Sequence, residues 1–183
     1  MNLKKVKIRP LRRDDFDDVV EIDERVFNQS RSETFLPTEG VVRFREKPIQ
    51  KLKAYEIAEL AIARTLYYET KFTRALDQKD RLTISLVAEE GEKVVGFVMS
   101  ELFVGEYGIS ATTATLDTIG VHPDYQKKGV GEQLMVEFIG HLRKAGVKKL
   151  NTLVDWNDWQ LIRFFNKNGF EPAKTMNLEL SIE

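Results

Sequence analysis

A chain of 183 residues, 42% hydrophobic and 31% charged, has the composition of a globular domain with room for a full core. A net charge of −1 lacks the basic excess of a general nucleic-acid binder, and no run approaches the ~18 apolar residues of a spanning helix. With no cysteine, disulfides, thiolate catalysis and Cys-ligated metals are excluded, and His122 and His141 lack a zinc-ligand spacing, so no metal is expected. MNLKKVKIRPL at the amino terminus has no signal-peptide core, which makes the cytoplasm the expected compartment.

Val6-Lys7-Ile8-Arg9 alternates apolar and polar residues and predicts a half-exposed strand closed by Pro10. Asp14 or Asp15 can cap a helix with the inward face Phe16, Val19, Val20, Ile22, Val26 and Phe27. The charge run Arg12-Arg13-Asp14-Asp15 is expected to be solvated. Residues 28–47, with Ser30, Ser32, Pro37 and Gly40, read as loop with at most a short helical turn. From Ile49 to about Leu76 runs a helical pattern without Gly or Pro. Its apolar residues cover more than one face, so it is expected to be contacted from two sides.

Leu82 to Glu89 and Lys93 to Phe103 are β-rich runs joined by the hairpin signal Glu90-Gly91-Glu92. A second turn spans Gly105 to Ser110. Leu116 to Val121, with β-branched Thr118, Ile119 and Val121, predicts a buried strand that cannot continue through His122-Pro123-Asp124. Leu134, Met135, Phe138, Ile139 and Leu142 then mark one face of a helix stopped at Gly146. Lys149 to Val154 reads as strand, a helix capped within Asp155 to Asp158 runs to Asn168, and Met176 to Ile182 alternates as a final edge strand. No repeat or long linker divides the chain, so residues 1–183 are expected to form a single domain with a helical insert at about 49–76.

A strand leading through a glycine-bearing turn into a helix is an anion-binding device. The first helical amides have no partner inside the helix, the dipole favours negative charge, and glycines let a phosphate approach. Neither the GxxxxGK[ST] loop nor the GxGxxG fingerprint is present, since Leu134 stands where the third glycine of the latter belongs. What remains is Gln126-Lys127-Lys128-Gly129-Val130-Gly131 after a strand ending in V-x-P. That pattern resembles the acyl-CoA-binding motif of the GNAT superfamily, the Gcn5-related N-acetyltransferases. Asp158 to Phe170 is similar to a second signature of the family, N-x-x-A-x-x-x-Y-x-x-x-G-F, in spacing and in Gly169-Phe170.

The resemblance implies an α/β fold: a twisted mixed sheet of about six or seven strands flanked by helices, with a long extra helix before the second strand. It implies acetyl-CoA as co-substrate, its pantetheine arm on the main chain of Ile119, Gly120 and Val121 and its diphosphate on the amides of Lys127 through Glu132. Backbone N–H groups near Ile119 to Val121 would stabilise the oxyanion of the transfer. Gln126, Lys127, Lys128, Gly129, Val130, Gly131 and Glu132 are the cofactor-binding loop, joined by Asp158 and Phe165 of the second signature. Asp158 replaces an asparagine there, Leu161 replaces a small residue, and Phe165 stands where a tyrosine commonly protonates the departing sulfur. Tyr125 or Tyr107 is a substitute donor.

Attack on a thioester requires a neutral amine, so a base must take a proton from the acceptor ammonium. The glutamate that ribosomal-type members carry after the helix corresponds to Leu153, and that of histone-type members to Thr115, so neither serves. Asp117, a carboxylate within an apolar strand, is the first candidate, ahead of Asp155 and Glu101. Absence of cysteine implies direct transfer in a ternary complex. The acceptor is a primary amine of a small molecule, peptide N-terminus or protein lysine, and the 49–76 helix is a sheet-packing element, a lid over the acceptor cleft or a homodimer contact. The competing readings are a CoA-binding module that has lost catalysis, motivated by Phe165 and Leu153, and a nucleotide-binding protein. Trp156 and Trp159 read as packing residues, and His122 and His141 as exposed.

Overall fold

The computed structural model describes residues 6–30, 34–38, 41–45, 53–77, 82–104, 112–174 and 180. The chain forms two compact units, Met1–Thr152 and Leu153–Glu183. The first holds a mixed sheet in the order β1 (Lys7–Pro10), β4 (Thr83–Glu90), β5 (Lys93–Val104), β6 (Thr112–Val121), β7 (Lys149–Asn151). Neighbours are antiparallel except β6 and β7, which run parallel. Its helices are α1 (Phe16–Ser30), α2 (Ala54–Leu76) and α3 (Val130–Lys144).

Alternation along the strands sorts the helices to opposite faces. A methyl placed on Gly120 would lie 2.7 Å from the Phe97 ring and 3.2 Å from Ile22 of α1. A methyl on Gly96, one residue from Phe97, would lie 3.0 Å from Leu134 of α3. On the α1 and α2 face, Val19, Ile22, Tyr68, Phe72, Val87, Phe97 and Met99 form a buried cluster. Each such side chain, fully removed from water, contributes roughly 1.5–3 kcal/mol. On the other face α3 buries Val130, Leu134, Met135, Phe138 and Leu142 against β4, β5 and β6.

Several expectations are corrected. Residues 34–38 and 41–45, read as loop, form a separate antiparallel pair, β2 (Thr34–Thr38) and β3 (Val41–Arg45). Their β-branched and aromatic residues outweigh Pro37, which a two-stranded sheet tolerates because both strands are edges. The main sheet has five strands among the described residues rather than six or seven. The strand expected over 149–154 stops at Asn151, because the Thr152 hydroxyl, not a further backbone amide, donates to the Leu116 carbonyl at 3.1 Å. β6 begins four residues before the expected Leu116. The turn at 105–110, with Tyr107, and residues 49–52 lie outside the described residues, as does the expected 176–182 strand apart from Leu180.

The charge run at 12–15 is not wholly solvated. Asp15 turns inward and accepts from the two terminal guanidinium nitrogens of the buried Arg9, at 2.8 and 2.7 Å, and from the Arg12 amide at 2.7 Å. Arg9 also reaches Glu89 on β4, so β1, the entry to α1 and the next strand share one buried cation. Asp15 therefore braces the turn before α1 instead of capping the helix from solvent. The second unit contains α4 (Trp159–Lys167), whose N-cap Asp158 accepts from the Leu161 amide at 3.0 Å. Rings of Phe164, Phe165 and Phe170 pack edge-on or tilted around a buried Phe165.

Candidate functional site

Two structures flank the C-terminal half of β6. The first is the β6–α3 loop. After Val121 the chain makes a 3-10 turn over Pro123–Tyr125, and α3 starts at Val130 with Gly129 as N-cap. Gly129 has φ 81° and ψ 5°, and Lys127 has φ 59°. Two left-handed residues in so short a span are the backbone from which anion-binding concavities of amides are made. Because the N-cap is glycine, no side chain caps the first amides of α3. A terminus so built favours an anion by about 0.3–1 kcal/mol at the surface.

Side chains around the loop brace it. Gln126 donates to the Val121 carbonyl at 3.0 Å, and Lys128 donates to the Asp124 carbonyl at 2.6 Å while lying over the Tyr125 ring. Tyr125 donates to Glu90 at 2.5 Å. His122, expected at the surface, is 4% exposed, with Nδ1 accepting from the Asp124 amide at 3.3 Å and the ring edge-on to Tyr125. The loop residues Gln126 to Glu132 are thus brought together, and they fit an anion such as a diphosphate.

β6 itself supplies the second requirement. Its parallel pairing with β7 covers only Thr113 to Thr115, so from Asp117 to Val121 one edge has no strand partner among the described residues. Ile119, Gly120 and Val121 occupy that open stretch. The Val121 carbonyl is engaged by Gln126, and Gly120 presents its vacant side to Phe97.

The second structure is a charged cluster on the α2 side. Met99 pairs with Thr118 but Ser100 pairs with Leu116, so Asp117 is an extra residue in β6, a β-bulge. The bulge turns Asp117 and Thr118 toward the same helix. Lys71 of α2 donates to Asp117 at 2.7 Å and to Glu101 of β5 at 2.8 Å, and Arg74 donates to Glu101 at 2.8 Å. Lys71, Asp117 and Glu101 side chains are 17%, 16% and 19% exposed, so all three keep solvent access. The Tyr67 ring lies 5.5 Å from the Lys71 ammonium. Deeper in, Tyr68 donates to Asp23 at 2.7 Å and lies 3.4 Å from the Thr118 hydroxyl, with Arg64 closing on Asp23.

Burial raises the Asp117 carboxyl above its ordinary value, and the Lys71 hydrogen bond offsets this only in part. The Lys71 hydrogen bond lowers Glu101. Burial alone would lower Lys71, yet its two carboxylate partners outweigh it and the ammonium is raised. The Asp117 and Lys71 shifts pull in opposite senses on one ion pair. The 2.7 Å contact with the Lys71 ammonium is what favours the ionised carboxylate at Asp117 against its burial. Burial raises Tyr68 well above its ordinary value, keeping its hydroxyl a donor.

Other candidates stand elsewhere. Asp155 is exposed and accepts from the Asn157 amide at 2.7 Å, and Leu153, Trp156 and Trp159 are exposed. Asp158 and Phe165 belong to the second unit, as its cap and its core. Sequence reasoning named Asp117 and Glu101 but missed Lys71, Arg74, Arg64, Asp23 and Tyr68. The available signal was Lys71 and Arg74 one turn apart on α2, close to Tyr67 and Tyr68 in sequence.

The sequence model of the Acetyltransferase (GNAT) family matches residues 50–170, which include α2, both β6 structures and α4. The ribosomal protein bS18-alanine N-acetyltransferase of Escherichia coli (strain K12) is 30% identical over 120 residues, 66% of this chain and 74% of that protein. An uncharacterized N-acetyltransferase, ycf52, of Gracilaria tenuistipitata var. liui is 30% identical over 91 residues. That match takes in 49% of this chain and 45% of the relative, so the chain spans under half of that protein. The PaiA N-acetyltransferase of Thermoplasma acidophilum, solved in complex with coenzyme A, has a TM-score of 0.70 at 17% identity, covering 94% of each chain. At that identity the likeness is one of fold.

Proposed function

The chain belongs to the acetyltransferase (GNAT) family, and on that premise we propose that it transfers an acyl group, by default acetyl, from coenzyme A to a primary amine. The observation that carries the reading is the pairing of a glycine-capped helix start with an ionised carboxylate, Asp117, at a bulge in the strand feeding it. The amides of Lys127 through Glu132 hold the diphosphate, and the open edge at Ile119, Gly120 and Val121 holds the pantetheine arm. Coenzyme A supplies an activated acyl thioester and a thiol leaving group.

The chain's own task is proton handling and orientation. Asp117 accepts a proton from the acceptor ammonium, leaving a neutral amine. The new N–C bond forms as the C–S bond breaks, and one proton is released for each amide made once the thiol is protonated. Phe165 offers no phenolic proton, and a thiol of pKa ~8.5 leaves tolerably without one. Transfer is direct, since no cysteine carries the group.

We read residues 1–183 as one domain acting in the cytoplasm; the family match running across residue 152 supports the single domain. Among the described residues no helix is long and apolar enough to cross a membrane. The α2 helix borders the acceptor side, as its contribution of Lys71 supports. Exposed Tyr55, Ile62 and Leu66 motivate a homodimer contact as its second role, to be checked by molecular mass in solution.

The test is thiol release from acetyl-CoA across a panel of amines, repeated with Asp117→Asn. Amine-dependent release that the substitution abolishes supports the reading. Tight coenzyme A binding with no turnover on any amine, unchanged in Asp117→Asn, instead favours the non-catalytic module that Phe165 suggests.

A further inference from the structure

We infer that the acceptor is an amine carrying its own carboxylate close by, as in a free α-amino acid, and that Lys71 is the residue that selects it. The inference rests on the reading of Asp117 as the base. Asp117 is already occupied: Lys71 lies 2.7 Å from it. The group is a row of alternating charge, Arg74, Glu101, Lys71, Asp117, with two cations and two anions and therefore no net charge before an acceptor arrives.

A bare monoamine or polyamine entering this row adds an unbalanced positive charge beside Lys71 in a half-buried place, where like charges are poorly screened. A zwitterion adds none. Lys71 has three N–H donors, of which two go to Glu101 and Asp117 among the described residues. The third is available to a substrate carboxylate while the substrate ammonium meets Asp117. Tyr67 and Glu101 hold the Lys71 ammonium from two sides, so it is placed before the acceptor arrives. A peptide N-terminus has no adjacent carboxylate and gains nothing from this arrangement.

The experiment measures kcat/KM for thiol release by the full chain with acetyl-CoA. Acceptors are a set of α-amino acids, the same amino acids as primary amides, a short peptide and a simple alkylamine. The acids are expected to exceed their amides by ~10–100-fold, the range of one charge-assisted hydrogen bond. Lys71→Gln should bring the acid-to-amide ratio close to one, and Lys71→Arg should restore much of it; a lysine of purely structural importance would lower both rates and leave the ratio alone. Melting temperature and coenzyme A affinity, measured on each variant, show that it is folded and loaded. Amides, peptide or alkylamine turning over as well as the acids overturns the selection and leaves acyl transfer standing, as does a preference that survives Lys71→Gln. No release with any amine, despite coenzyme A binding, overturns the transfer reading and this inference with it.

Discussion

The loop between β6 and α3 and the cluster between α2, β5 and β6 lie against the same strand but are built from different materials. The loop is main chain: left-handed Lys127 and Gly129, a helix start with a glycine cap, and side chains that brace it locally over four or five residues. The cluster is side chain: Lys71 is 30 residues from Glu101 and 46 from Asp117, and only folding brings them together. A site made of amides carries no titrating group of its own, and fails when the backbone is forced. A site made of alternating charges answers to any alteration of its ionisation.

That contrast can be broken most forcefully at the base. Asp117→Asn is expected to lower kcat by ~10²–10⁴-fold while coenzyme A affinity stays the same. A matching loss of coenzyme affinity would mean that the two regions are not separable. The converse change is Gly129→Val, which places a β-branched residue at φ 81° and costs roughly 1–2 kcal/mol there. It should weaken coenzyme A binding by about tenfold, measured by isothermal titration, with the acid limb of the pH–rate profile left where it was.

Glu101→Gln sharpens the comparison further. Glu101 is one of the charges that hold Asp117 up, so its removal should move the acid limb of the rate profile to lower pH. Stability gives an independent check. Glu101 is lowered in the fold by Lys71, so its contribution is present above the ordinary glutamate range and is lost as pH falls from that range through the lowered value. The Glu101→Gln protein should therefore melt earlier than wild type at neutral pH, and the gap should close in acid. The smallest effect belongs to Lys127→Ala, which keeps the loop amide and removes only an exposed cation, so a change of coenzyme affinity within about 0–1 kcal/mol is expected. A larger loss would mean that the loop binds through charge after all.

The same division explains what the sequence disclosed. The loop was legible because its chemistry is local: Pro123, Gly129 and the apolar face of α3 are read within a short span. The strands β4, β5 and β6 were legible from their β-branched runs. Asp117 stood out as a lone carboxylate in an apolar strand. Its partner did not, because nothing in a one-dimensional pattern tells which of many helical lysines faces it. His122 and Asp15 were misjudged for a related reason. Polar residues beside a turn are ordinarily solvated, and here edge-on packing against Tyr125 covers His122, while Arg9, itself held by Glu89 of β4, draws Asp15 inside. β2 and β3 were hidden by proline and glycine in a stretch whose pairing partner is only its own neighbour.

The supernumerary position in β6 has a consequence for anyone wishing to silence the protein. Were codon 117 removed in frame, the ladder opposite Met99 and Ser100 would close into regular pairing, and neither the helix cap nor the flanking hydrophobic contacts would be interrupted. Such a deletant should be well folded, with Lys71 still paired to Glu101, and retained on a coenzyme affinity resin, yet inert.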